Sequence, residues 1–380
     1  MLTPPPGRNL SLDFLRGIAI LCVLDYHFAP DAHSHIAASV FYYPLRWLGI
    51  EHFGWMGVDV FFVLSGFLVG GLLVKEWKLR GNIHARGFLL RRALKIWPQY
   101  YLFLAVMVLF HPHHVASMTG NFLNIQNYTG TPFPHTWSLA VEEHFYLLLA
   151  FFVALAAARA TRPRTLFFIV ATVAVLVSVF RFWRLLHGAD DVYATHMRVD
   201  GLLWGVLLAI LYHWAPERFA RLQQRWWLWM IVLGVCIAVL CTSGNALGQA
   251  AGIGCADWAG VALLLLIYRP QEQSRCWPYR LVAWIGFYSY AIYLWHESVF
   301  GLVAAVTTRL PYYPLRVAVE AVAPWALAIG FGVVTTRLIE IPALRMRDRF
   351  FPRPIDSAID PAARTLKRPT VSSGTVPASW

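Results

Sequence analysis

Charge is what this chain of 380 residues has least of. Only 14% of it is Asp, Glu, Lys or Arg, against about 25% in soluble domains. A soluble fold of this length would lack the polar surface to cover itself. Acidic residues are scarcer than basic ones, 20 against 32, which leaves a formal net charge of +12. The five cysteines (Cys22, Cys236, Cys241, Cys255 and Cys276) show no metal-site spacing, so neither a disulfide framework nor a metal is expected. The patterns G-x-S-x-G, H-E-x-x-H and the P-loop are missing too. Serine-hydrolase, zincin and nucleotide-hydrolase readings therefore lack support.

What the chain has instead is apolar length. Hydrophobic residues make up 58% of it, and the mean hydropathy is +0.53. Apolar runs fall at about 12–30, 57–74, 95–111, 137–158, 165–186, 200–214, 226–242, 252–268, 281–307 and 316–339, most of them long enough to cross a bilayer as helices. The expected fold is all-α: a polytopic integral membrane bundle of about ten transmembrane helices. Residues 1–350 form the membrane domain, and 351–380, rich in Pro, Arg, Ser and Thr, a disordered tail. The first run is no cleavable signal, because Asp13, Arg16, Asp25 and His27 interrupt it. No internal repeat is evident. The 17 Trp, 16 Tyr and 25 Phe suit interfacial belts.

The basic residues orient the bundle. With the N-terminus inside, the inside segments carry 24 of the 32 Lys and Arg, and the outside segments only Arg46, Arg181, Arg184, Arg198, Arg309 and Arg316. Both termini are expected to be cytoplasmic. This block pattern also argues against nucleic acid as the partner of the positive charge.

Ionisable residues inside the hydrocarbon are costly and mark function by default. Arg16 and His27 are eleven residues apart, nearly on one helix face and roughly 16 Å apart along the axis. Glu142 lies just below the outer surface in its span, and His296 reaches the depth of His27 in another. Asp59, Arg198 and Asp200 sit at the outer ends of two more. At the inner mouth, Arg86, Arg91, Arg92 and Lys95 precede the third span and suit phosphates. The division suggests a phosphate-bearing donor inside, an acceptor outside, and His27 where they meet.

Six stretches in order carry a resemblance: Arg16-x10-His27, GVDVFFVLSGFL (57–68), RRALKIWP (91–98), HTWSLAVEEHFYL (135–147), RVDGLLWG (198–205) and FYSYAIYLWH (287–296). Together they resemble the membrane acyltransferase-3 family, bacterial O-acyltransferases of polysaccharides, lipopolysaccharide, Nod factors and macrolides, over about 1–345. The resemblance implies the bacterial inner membrane, acetyl-CoA as donor substrate and a glycan or glycolipid acceptor. It maps the family's Arg–His pair onto Arg16 and His27, and its tryptophan–serine–leucine motif onto Trp137, Ser138, Leu139 and Glu142. Arg16, Arg91, Arg92 and Lys95 are then the donor-binding candidates. Asp13, Asp59, Ser65, Trp137, Ser138, Arg198, Asp200, Tyr290 and His296 are the substrate or supporting candidates. Asp25 and His144 depart from the family pattern, and a form without an attached SGNH-type hydrolase domain is expected.

A sugar hydroxyl is a poor nucleophile, and a positioned imidazole can deprotonate it as it attacks a thioester. Glu142 is expected to orient that imidazole, by the logic of the hydrolase triad. A second route has His27 carry the acyl group itself. Plainer readings stand beside these: His27 and His296 as packed core, the Arg91–Lys95 cluster as topology charge, Glu142 and Asp59 at helix starts, Arg198 and Asp200 as an interfacial pair. A proton-coupled transporter or flippase is the rival functional class.

Overall fold

The structure is a computed structural model and describes residues 8–28, 53–241, 246–270, 276–310 and 312–352. The tail beyond 352, Arg46 and residues 243–245 of the loop 243–251 lie outside the described residues. Helices are the only regular secondary structure among those described. In hydrocarbon a backbone must satisfy its own polar groups, which a helix does within each segment. The longer ones are α1 (Leu10–Phe28), α2 (Gly57–Arg80), α3 (Ala85–Phe110), α4 (Trp137–Ala158), α5 (Pro163–Leu186), α6 (Thr195–Trp214), α7 (Pro216–Gln224), α8 (Trp226–Cys241), α9 (Ala246–Ile267), α10 (Trp277–Phe287), α11 (Ser289–Thr307), α12 (Tyr313–Thr335) and α13 (Ile341–Phe350).

Local chemistry explains the ends. α2 stops at Gly81, whose left-handed φ of 74° lets its N–H return to the Trp77 carbonyl. α5 and α7 open with prolines, which have no N–H to leave unsatisfied in a first turn. The chain bends by 116° between α6 and α7, ahead of Pro216. Two boundaries differ from expectation. The run 281–307 is not one helix: it breaks at Tyr288, whose N–H bonds back to Ile285 and tightens the turn. α3 begins at Ala85, so Arg86, Arg91, Arg92 and Lys95 lie on the helix and not before it.

Packing brings the elements together around buried polar groups. α2 lies along α6, α1 along α10, α5 along α6, α8 along α9 and α11 along α12. α2 and α6 approach so closely that a Cβ at Gly66 would meet the Leu202 carbonyl, and one at Gly205 the Val63 carbonyl, the small-residue contact of membrane helices. Between α2, α5, α6 and α9, Arg181 is 2% exposed and pairs with Asp200 and, at 3.3 Å, with Asp257. Arg198 pairs with Asp59 at 2.6 Å and stacks 4.9 Å from the Trp137 ring. Asp59 lies in the first turn of α2, but its carboxylate pairs with an arginine and caps no backbone N–H. Arg198 and Asp200, two residues apart on α6, take separate partners.

The outside of the bundle is apolar. Leu148, Phe151 and Phe152 on α4, and Phe168, Ile169, Leu176 and Val179 on α5, are exposed, a surface that water penalises and lipid does not. Among the described residues, six helices are long and apolar enough to cross a membrane, or seven if α6 and α7 form one bent span. α1 carries Asp13, Arg16 and Asp25, more charge than such a segment ordinarily holds. The chain is a multi-pass helical membrane protein.

Candidate active site

Two cavities lie back to back in the bundle. The first has a cavity volume of about 120 Å³ between α1, α2, α3, α4 and α11. Three of its wall residues are cations, Arg16, Arg92 and Lys95. Arg16 is anchored by Asp13 at 2.6 Å, which Arg8 grips as well. The Arg92 guanidinium lies 5.9 Å from the Tyr146 ring. Glu142 faces the same cavity and accepts the Tyr146 hydroxyl proton at 2.6 Å, while Ser65 donates to Tyr146 at 2.8 Å. Tyr290, whose hydroxyl donates to the Ile96 carbonyl, lies on the wall too.

The second has a cavity volume of about 550 Å³, partly open, and its wall includes His27, His135, Glu297, Trp137, Arg198, Tyr193 and Asp190. Val58 and Tyr293 belong to both walls. The Tyr293 hydroxyl is fixed there, donating to the His135 carbonyl at 2.6 Å and accepting from Ser138 at 2.7 Å.

Hydrogen bonds to carbonyls settle the tautomers of His27 and His296. Nδ1 of His27 lies 2.9 Å from the Val23 carbonyl, and a carbonyl only accepts, so the neutral ring keeps its lone pair on Nε2. His296 donates from Nδ1 to the Tyr293 carbonyl, and its buried Nε2 has no hydrogen-bond partner among the described residues. His135 donates from Nε2 to the Leu294 carbonyl at 3.1 Å, and its Nδ1 lies 2.8 Å from Glu297 Oε2. The other Glu297 oxygen is 3.6 Å from His27 Nε2.

This geometry corrects two expectations and adds two residues, Glu297 and His135. The carboxylate beside His27 is Glu297. Glu142 is bonded to Tyr146 on the wall of the cationic cavity. Arg91 does not line that cavity; it pairs with Asp348 at 2.9 Å and with the Phe351 carbonyl. Glu297 was legible only as the neighbour of His296 in YLWHESV, and His135 as the first residue of HTWSL. His144, the departure from the family pattern, bonds to Thr195 at 2.7 Å, and Asp25 is buried near the end of α1.

Known proteins are similar to this chain in sequence. The family described as "Acyltransferase domain" matches residues 9–339. The peptidoglycan O-acetyltransferase OatA of Listeria monocytogenes is 27% identical over 330 residues, covering 78% of this chain and 50% of its own. The putative peptidoglycan O-acetyltransferase YrhL of Bacillus subtilis is 27% identical over 331 residues, 77% of this chain and 48% of its own. A putative O-acetyltransferase of Staphylococcus aureus is 24% identical over 392 residues, with 92% and 60% covered. The chain therefore spans about half the length of the curated relatives it matches. No solved structure gives a significant match. The matched region contains every helix that walls the two cavities, and the chain belongs to this acyltransferase family.

Proposed function

We propose that this acyltransferase takes an acetyl group from cytoplasmic acetyl-CoA and passes it to a hydroxyl of an extracytoplasmic or lipid-linked glycan, with His27 as general base. The observation that carries the reading is the pair of cavities meeting at Val58 and Tyr293. One offers Arg16, Arg92 and Lys95 to phosphates. The other offers the Nε2 lone pair of His27. A pantetheine arm is long and thin enough for the roughly 16 Å between Arg16 and His27 along α1. The names of the relatives from Listeria and Bacillus favour acetyl as the group and a cell-wall glycan as the acceptor.

In this scheme the acceptor hydroxyl gives its proton to His27 Nε2 as its oxygen attacks the thioester carbonyl. The new C–O bond forms, the C–S bond breaks, and coenzyme A leaves as a thiolate that takes up a proton. The 3.6 Å gap to Glu297 is too wide for a hydrogen bond, so that carboxylate acts on the imidazolium through its charge. The second route, with the acetyl group carried on His27, uses the same atoms. Each of the ten apolar runs contains helix, and the Lys/Arg asymmetry favours ten spans with both termini cytoplasmic in a bacterial inner membrane. Membrane lipid, acyl-CoA and the glycan are the partners, and no nucleic acid.

The rival reading, a proton-coupled transporter or flippase, is favoured by the buried charges spread over α2, α5, α6 and α9. Free coenzyme A separates the two. Protein purified in nanodiscs is given acetyl-CoA and an N-acetylglucosamine oligosaccharide, and coenzyme A release and glycan mass are followed. The expected result is acceptor-dependent release and an acetylated glycan, lost by about 10²-fold or more in His27→Ala. An intact thioester in every acceptor, or a His27→Ala protein above about a tenth of wild-type rate, overturns the reading.

A further inference from the structure

We propose that the histidine cavity is also a binding site for a divalent transition metal of the zinc type, held by His27, His296 and Glu297 with His135 beside them, and that the bound metal silences His27. Binding stands on the geometry alone; the silencing rests on the acyl-transfer reading. One ring nitrogen of His27, one of His296 and a carboxylate oxygen of Glu297 lie within 4.8 Å of one another. In a tetrahedral zinc site with bonds near 2.0–2.1 Å, neighbouring ligand atoms stand about 3.3 Å apart. His27 Nε2 and Glu297 Oε1 are at 3.6 Å, and small side-chain rotations close the rest. Two imidazoles, a carboxylate and an open position are a set that zinc accepts.

The surroundings are prepared in the way a metal needs. Zinc binds a neutral imidazole whose other nitrogen is tied down by a hydrogen bond. Here each of three rings donates to a backbone carbonyl, His27 to Val23, His296 to Tyr293 and His135 to Leu294. The nitrogen left on His296 is Nε2, fully buried and without a hydrogen-bond partner among the described residues. Orphaned buried polar atoms are uncommon and call for a reason, and acyl transfer supplies none for His296. His135 Nδ1, 2.8 Å from the second Glu297 oxygen, supports that carboxylate when the ring is protonated and takes the fourth position when it is neutral. His27 and Glu297 are each 29% exposed, so an ion can enter through the cleft, past Asp190 on its wall. No linear motif announces the site, because its ligands come from the end of α1, the segment before α4, and α11.

A metal on Nε2 occupies the lone pair that would accept the hydroxyl proton. Zinc should therefore be a reversible inhibitor. A second group of histidines would confuse the measurement: His111 and His113, exposed, and His114, half-buried, have ring centroids 4.2–6.1 Å apart. The parent protein for the test is therefore the full chain with His111→Asn, His113→Asn and His114→Asn, purified in detergent without chelator. Zinc is titrated in competition with a chromogenic chelator, and acetyl transfer is followed in parallel. We expect one zinc per chain, bound at least about tenfold more weakly after His296→Ala and, separately, after Glu297→Gln, the low end of what losing even a supporting group costs a metal site. Transfer should fall as zinc binds and return with EDTA. Equal zinc affinity in the parent and both variants overturns the site, as does no retained zinc. Transfer that persists with zinc bound overturns the silencing. A parent that binds zinc yet transfers nothing when metal-free leaves the site standing and removes the acyl-transfer reading. Should either variant fail to fold, X-ray absorption of the zinc-loaded parent decides: nitrogen and oxygen neighbours with imidazole scattering support the site, and a sulfur shell overturns it.

Discussion

At the scale of single residues, two glutamates divide the proposed work. Glu297 stands beside Nε2 of His27, where a proton would arrive, and Glu142 stands among Arg16, Arg92 and Lys95, where phosphates would bind. A carboxylate near an imidazolium stabilises the charge that develops during transfer; one in a cationic cavity tempers the charge available to the donor. Glu297→Gln should therefore lower kcat by about tenfold or more, a share of the 10²–10⁴ that a positioned base contributes, with the donor KM unchanged. Glu142→Gln should move the donor KM instead. Steady-state kinetics with acetyl-CoA varied distinguishes them. A Glu142→Gln enzyme that loses kcat at constant donor KM would return the orienting role to Glu142.

At the scale of the element, α3 sorts its own cations. Arg92 and Lys95 are three residues apart, hence neighbours on one helix face, and both reach the cationic cavity. Arg91 is turned by about 100° from Arg92 and meets Asp348 on α13. Arg92→Ala with Lys95→Ala should thus weaken acetyl-CoA binding, most at low ionic strength, where charge is least screened. Arg91→Ala should leave it unchanged. Calorimetry across a salt series measures both. Equal losses from the two faces would mean that the donor does not use this cavity.

At the scale of the whole molecule, the buried ion pairs and the exposed apolar belt answer to the same solvent. Arg181 with Asp200 and Asp257, and Arg198 with Asp59, join α2, α5, α6 and α9 in the interior, where removing one partner strands a charge at a cost of about 3–5 kcal/mol. Apolar side chains face outward. Ten spans with cytoplasmic termini predict that a reporter active only outside the cytoplasm lights up when fused near residue 125 and stays dark near 85, 162 and 360. A bright C-terminal fusion would make the number of crossings odd and end the ten-span topology.

Composition and periodicity were enough for what depends on neighbours along the chain. The apolar runs became helices because a buried backbone must close its own hydrogen bonds, and eleven residues brought Arg16 and His27 to one face because the helix repeats every 3.6. The six ordered motifs placed the chain in its family. Partners across helices were not legible in the same way. Whether His27 meets Glu142 or Glu297 depends on the rotation and depth of α4 and α11 against α1, which spacing within either helix leaves open. The same holds for Arg91, claimed by α13, and for the break at Tyr288, since the nearby Gly286 lies inside α10 and not at the break. Tertiary packing decided these, because a buried charge takes the partner that three-dimensional proximity offers it.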